Sequence, residues 1–366
     1  MPVSLCFYIS TLFKLLMAEK LTMVERTFWG RFANPWDTWK DTRLHAAFVL
    51  GFNSGDPDYS PSPSDPRLPM DLPIRKPKFG PVLPNASTAG IRLTWLGHAS
   101  VLVYIDGVNV LCDPVFSERC SASQYFGPRR YRPPPCQVKD LPQVDAIVIS
   151  HNHYDHMDYA SIHSLGERFP KAYWFVPSGC RDFILSSVNE ASGDHVREFL
   201  WWEEQPIGDT GVKVIFTPTQ HWSARNLVFD SFSTLWGSWA LIGARHRFWF
   251  GGDTGYCKVF KEIGAHLGPF DVAAIPIGAY KPRSVLKTQH VDPVEAVQIH
   301  KDIKAKYSVG VHWGTFPLSH ESYMAPKLDL LKAVKAAGLS PSDFRTLDHG
   351  RSLCFYRESD ETVFEE

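Results

Sequence analysis

Residues 144–149 form an apolar run, Val-Asp-Ala-Ile-Val-Ile, and residues 150–158 follow it directly as Ser-His-Asn-His-Tyr-Asp-His-Met-Asp. A short apolar run of this kind reads as a strand buried in a sheet. The chain must therefore build a sheet whose edge releases His151, His153, Asp155 and His156 together. In extended backbone, residues two apart share a side. His151, His153 and Asp155 then point one way, while His156, next to Asp155, turns toward a second point. One short loop can thus supply ligands to two metal ions.

The rest of the chain must supply a matching frame. Strand-like runs lie at 91–96 and 100–105, joined by a Gly97-His98 turn, with 91–96 alternating as a strand does. Others lie at 108–112, 146–149, 173–176, 212–216, 236–241, 248–250, 272–276 and 307–311. Helical patterns fall at 159–168, 181–190, 257–266, 292–304 and 325–337. The helix after Asp292 has a clear start, with Asp292 as cap, Pro293 in the first turn and Glu295 three residues on. Alternating strands and helices without a Gly-rich phosphate loop predict a layered α/β sandwich rather than a dinucleotide-binding sheet. The catalytic body is expected over 90–366. Residues 1–89 form a separate region: an apolar start (1–17, with Lys14 its only charge), a segment carrying Trp29, Trp36 and Trp39, and a proline-rich stretch between Asp56 and Pro84. Recurring proline excludes regular helix or central strand there. The apolar start is expected to be an interfacial helix or a helix packed on the domain.

Composition narrows the partners. A net charge of −1 over 366 residues argues against nucleic acid. Twelve Trp and 24 Phe favour apolar pockets and lipid contact. Seven scattered cysteines without a C-x-x-C pair fit a reducing compartment and exclude a Cys-ligated metal; Cys257 is expected to be buried and inert. No apolar run reaches the ~18 residues a membrane span needs.

Three further donors stand just past strands: His221 after 212–216, Asp253 after 248–250, and His312 after 307–311. Loops at one sheet edge are where functional residues gather. Taken with these donors, the order H-x-H-x-D-H, His, Gly-Asp-Thr-Gly and a final strand-end His resembles the metallo-β-lactamase superfamily over about residues 91–350. That resemblance implies a four-layered αββα sandwich and a binuclear zinc centre. It assigns His151, His153 and His221 to one ion, Asp155, His156 and His312 to the other, and Asp253 to both, with Asp113 as a structural support. The donor chemistry suits zinc and also admits iron or manganese.

A narrower resemblance rests on motifs beyond the ligands. They include Phe32-Ala33-Asn34-Pro35-Trp36, Thr94-Trp95-Leu96-Gly97-His98, Gln220-His221-Trp222, Gly252-Asp253-Thr254-Gly255-Tyr256, Gln289-His290-Val291-Asp292 and His312-Trp313-Gly314-Thr315-Phe316. These are similar to the N-acylphosphatidylethanolamine-hydrolysing phospholipase D family, from about residue 28 to residue 350. The resemblance implies a membrane phospholipid substrate, cleavage to an N-acylethanolamine and phosphatidic acid, a homodimer, and an intracellular enzyme peripheral on the cytosolic face of endomembranes or Golgi.

Two zinc ions can hold a bridging hydroxide and stabilise the oxygens of an in-line displacement at phosphorus. His290 is the candidate proton donor to the leaving oxygen, so Asp253 and His290 are the catalytic candidates. Tyr154, Tyr159, Trp222, Gln289 and His290 are the candidate substrate contacts, with Leu227, Phe229, Tyr280 and Phe316 as further groove candidates. Arg225, Lys281 and Arg283 are candidates for holding phosphate or meeting a lipid surface. The competing readings are a lactonase or phosphodiesterase of the same fold acting on a soluble metabolite, and a zinc-stabilised binding protein.

Overall fold

The structure, a computed structural model, describes residues 21–51, 58–80, 90–188, 195–226 and 229–356. The apolar start 1–17, Leu227 and parts of the proline-rich stretch lie outside the described residues. Near the N-terminus, β1 (Glu25–Arg26) and β2 (Phe32–Ala33) pair as a short antiparallel ribbon, followed by α1 (Arg43–Gly51) and the single turn α2 (Leu68–Asp71).

Two seven-stranded sheets follow. The first holds β3 (Ile91–Gly97), β4 (Ser100–Ile105), β5 (Val108–Cys112), β6 (Ala146–Val148), β7 (Tyr173–Pro177) and β8 (Val196–Phe199). The second holds β9 (Glu204–Pro206), β10 (Lys213–Thr217), β11 (Ser238–Ile242), β12 (Arg247–Phe250), β13 (Phe270–Pro276), β14 (Ala305–Val311) and β15 (Phe344–Arg345). The last strand, β16 (Ser352–Phe355), returns to the first sheet beside β3.

Both sheets share one plan. Running from β16 to β8, and from β9 to β15, three antiparallel pairings give way to three parallel ones. Parallel neighbours need a crossover, and that is where the helices fall. In the first half these are α3 (Tyr159–Arg168) and α4 (Arg181–Ser187). In the second they are α5 (Val259–His266), α6 (Arg283–Leu286), α7 (Pro293–Asp302) and α8 (Ala325–Ala336). The expected αββα sandwich is thus the observed one.

β3 alternates as expected, with Arg92 and Thr94 between Ile91, Leu93 and Trp95, yet all seven of its residues are buried. The reason is the layering. Ile91, Leu93 and Trp95 face the second sheet, whereas Leu96 joins Leu102, Leu111 and Ile147 in a cluster with Ile162, Leu165 and Ile184 of α3 and α4. A sheet covered on both faces has no side open to water.

The segment before the sandwich straps across the second half. Phe32 and Trp36 enter the central core. Trp36 Nε1 donates to the Thr219 carbonyl at 3.2 Å, and Asn34 Nδ2 to the His221 carbonyl at 2.7 Å. Thr38 hydroxyl meets the Gln220 side-chain oxygen, and Ala46 of α1 packs on Val285 and Leu286. Among the described residues no helix is long and apolar enough to cross a membrane.

Candidate metal centre and active site

The loop after β6 opens on Ser150, whose amide and hydroxyl both donate to Asp113 at 2.7 and 2.5 Å. Asp113 follows β5, is fully buried, and its Oδ2 also meets His156 Nδ1 at 2.6 Å. That contact turns His156 Nε2 inward. Burial pushes the Asp113 carboxyl up against the pull of His156 and Ser150, and its net position is above the usual carboxylate range.

The second half brings its donors to the same place. Asp253 stands at the centre: His312 Nε2 is 3.1 Å from its Oδ1, and its Oδ2 lies 3.2 Å from His156 Nε2 and 3.8 Å from nitrogens of His151, His221 and His290. His151 Nε2 and His221 Nε2 lie 2.8 and 3.3 Å from His153 Nδ1. Asp155 Oδ2 lies 3.4 Å from Nε2 of both His156 and His312. All seven sequence-predicted ligands therefore converge in one pocket, together with His290. The His221 Nδ1–H donates to the Gln289 carbonyl at 2.9 Å, which turns Nε2 toward His153 and Asp253.

This geometry fits metal ions. His151, His153 and His221 form one cluster of donor atoms, and Asp155, His156, His312 and His98 form a second. His153 Nε2, His156 Nε2, both ring nitrogens of His312, His290 Nδ1 and Asp253 Oδ1 are buried without a hydrogen-bond partner. Buried polar atoms are normally paired, and nitrogens that face one another without a proton to share are suited to a shared cation. Charge agrees. Burial holds His151 well down, His153 at about 4 and His221 and His290 at about 3, in the neutral form a ligand needs. Burial acts the same way on His156 and His312, yet Asp253 and Asp155 override it, joined at His156 by Asp113, and raise His156 far up and His312 to about 9. The carboxylates demand positive charge here.

Backbone strain is concentrated at the same place. His98, Asp113 and His312 have φ of +51°, +41° and +60°, and Ala279, which lines the pocket, +62°. Left-handed backbone at residues with a Cβ costs of order 1–3 kcal/mol each and persists where surrounding structure over-determines it.

A pocket of about 340 Å³ opens onto this centre. Its polar end is made by His153, Asp155, Asp253 and His290, its apolar wall by Ala46, Ala47 and Leu50 of α1 with Leu286 and Leu318. Tyr154 and Trp222 line it. Gln289 also borders it, but its amide is spent inside the protein, accepting from Trp222 Nε1 and donating to Thr42 and the Val285 carbonyl. The structure places Tyr159 elsewhere: it is half exposed at the start of α3 and stacks on His163. Phe229 is exposed, Tyr280 is buried with its hydroxyl on Asp329, and Phe316 packs behind the site against His98.

Of the basic candidates Arg225 and Arg283 are also committed, whereas Lys281 is exposed. Arg225 Nη1 donates to the carbonyls of Asn152 and Met157 at 3.1 and 2.8 Å, and its guanidinium lies 4.0 Å over the Tyr154 ring. It clamps both ends of the ligand loop from across the sandwich. Arg283 donates to Glu295 and to the His290 carbonyl, holding the loop that carries His290. Sequence reasoning missed the clamp role of Arg225 and left His98 without a role, although Gly97-His98 was visible as a tight turn.

Comparisons with known proteins agree with this construction. Residues 108–313 match the model of the β-lactamase superfamily domain. A metallo hydrolase from the archaeon Ignicoccus hospitalis superposes with a TM-score of 0.54 at 21% identity, covering 74% of this chain and all of that one. Fold and donor set define a metallo-hydrolase of the β-lactamase superfamily. The sequence is 43% identical over 270 residues to N-acyl-phosphatidylethanolamine-hydrolyzing phospholipase D 1 of Caenorhabditis elegans, covering 72% of this chain and 76% of that protein. It is 33% identical over 277 residues to the mitochondrial N-acyl-phosphatidylethanolamine-hydrolyzing phospholipase D of Saccharomyces cerevisiae, covering 74% and 57%. The chain belongs to this phospholipase D family.

Proposed function

We propose that the pocket holds two zinc ions and that the enzyme cleaves N-acylphosphatidylethanolamine to an N-acylethanolamine and phosphatidic acid. The chain is a metal-dependent phosphodiester hydrolase, by its family and fold. The observation that carries the active-site reading is Asp253, one carboxylate within 3.1–3.8 Å of five imidazoles from four loops. His151, His153 and His221 would hold one ion, Asp155, His156 and His312 the other, with Asp253 facing both. When bound, such a pair supplies water acidic enough to attack at neutral pH and positive charge against the phosphoryl oxygens.

The remaining roles fall to the chain. His290 presents its unpartnered Nδ1 to the pocket and is neutral at rest, so the proton it passes to the departing ethanolamine oxygen is the one given up by the attacking water. Gln289 acts by holding the Trp222 ring in place rather than by touching lipid. Trp222, Tyr154 and the α1 wall give the acyl chains an apolar path and exclude water. Leu44 and Phe48, four residues apart and exposed on the same helix, are suited to entering a lipid surface beside the pocket mouth. We take the enzyme to be peripheral on intracellular membranes and homodimeric, as the family resemblance implies; liposome flotation and sedimentation test these. His290→Ala should lower turnover by about 10²–10⁴-fold with metal content unchanged.

The decisive experiment incubates metal-replete protein with N-acylated and plain phosphatidylethanolamine in mixed micelles. Release of N-acylethanolamine with phosphatidic acid, from the N-acylated lipid, is expected. Fatty acid release, or no cleavage, would overturn the assignment.

A further inference from the structure

We propose that His98 is a positioning residue that orients Asp155 and His312 for the second ion, an inference that rests on the two-ion reading above. His98 sits at the tip of the β3–β4 hairpin, 2% exposed, with a left-handed backbone next to Gly97. Its Nε2 lies 2.9 Å from Asp155 Oδ2. Its carbonyl accepts from the His312 amide at 2.9 Å and from Trp95 Nε1 at 2.8 Å. Its amide donates to Thr315 Oγ1 at 2.7 Å. The ring is wedged, with its centre 4.2 Å from that of His312 and 5.2 Å from that of Phe316.

Through side chain and main chain together, one residue contacts a ligand from each half of the sandwich. A neutral imidazole has one N–H, and a carboxylate only accepts; the Nε2–H must point at Asp155. This fixes the tautomer of His98 and one oxygen of Asp155. A carboxylate offers about four lone-pair sites, so the bond orients Asp155 without preventing it from binding a cation. The carbonyl of His98 does the equivalent for His312, whose own left-handed backbone would otherwise relax. Hydrogen bonds of this kind, one shell out from a metal, are worth about 10–100-fold in metal affinity.

The test is metal retention in His98→Ala, His98→Gln and His98→Asn. Zinc per chain is measured by mass spectrometry and ion release by chelator titration, with thermal unfolding alongside. The Gln amide nitrogen reaches the Nε2 position and the Asn amide does not. Two ions in the native enzyme are expected. One of them should be released at a chelator concentration about 10–100-fold lower in His98→Ala and His98→Asn, with near-native retention in His98→Gln. Equal retention in all variants, or a uniform loss of thermal stability that does not separate Gln from Asn, would overturn the proposal. So would a His98→Gln enzyme with a single ion, which would make His98 a direct ligand. If His98→Ala fails to fold, the Gln and Asn pair still decides. A native enzyme that takes up fewer than two ions would defeat the underlying two-ion reading rather than this inference alone.

Discussion

The two halves of the sandwich share a strand plan but supply the site in opposite ways. After β6 the first half delivers four donors in one loop, His151, His153, Asp155 and His156, whereas the second delivers one per strand end, His221, Asp253 and His312. A loop crowded with ligands cannot hold itself, because its backbone leaves the sheet just where the donors begin. Its support comes from outside: Asp113 on Ser150 and His156, and Arg225 on the carbonyls of Asn152 and Met157. The dispersed donors stand one, three and four residues past their strands (His312, Asp253 and His221), and each loop has only one donor to hold. Density of ligands in sequence is thus traded against dependence on distant residues.

Asp253 belongs to the dispersed half yet lies 3.8 and 3.2 Å from His151 and His156 of the other, so its loss should erase the distinction. Asp253→Ala should release both ions and lower activity by on the order of 10³-fold or more, measured by metal content and product release together. A variant that keeps one tight ion would show that the halves are independent.

Arg225→Met keeps much of the side-chain bulk but removes the clamp. Metal affinity should fall by about 10–100-fold, read by chelator titration, with the ions bound through loop donors affected first. An unchanged release curve would mean that the loop is rigid unaided.

A third outcome concerns packing histidines rather than ligands. His300 of α7 is buried against Phe344 with Nδ1 2.8 Å from Ser308 Oγ, and burial holds it down to about 4. Its counterpart in the first half, His163 of α3, is partly exposed. The unfolded chain protonates His300 near 6.5, so between about 4 and 6.5 the unfolded state binds more protons. The stability contribution is complete above that window and is lost as pH falls through it, by up to about 1.4 kcal/mol per pH unit. His300→Gln should flatten this slope relative to the native chain in urea unfolding at pH 7 and pH 5. Parallel slopes would remove His300 as the source.

The smallest effect is expected in the strap. Asn34→Ala removes a single hydrogen bond to the His221 carbonyl, costing about 1 kcal/mol in thermal unfolding, with both ions retained.

This division also explains what could be read from residues alone. Strand runs, the Asp292–Glu295 capping box and the H-x-H-x-D-H loop are local patterns, and their positions agree with β3 to β7, β10 to β14, α3 to α5, α7 and α8 within a few residues. The even burial of β3 was not readable, because it depends on a second sheet and on helices placed far along the chain. Arg225 looked like a phosphate holder, since an isolated arginine beside a ligand carries no mark of the two carbonyls it spans, some 70 residues away. Tyr159 adjoins the ligand loop in sequence, but capping of α3 by Asp158 on Ser161 turns it outward.

The strap has one more consequence, in the order of assembly. Asn34, Trp36 and Thr38 bond to residues 182 to 187 positions later, so this segment leaves the ribosome well ahead of its partners and has no docking surface until β10 and the turn beyond it exist. Contacts so distant in sequence form late. Asn34, Trp36 and Thr38 therefore wait through the synthesis of about 180 further residues before their partners exist, so a segment made early is among the last to find its place.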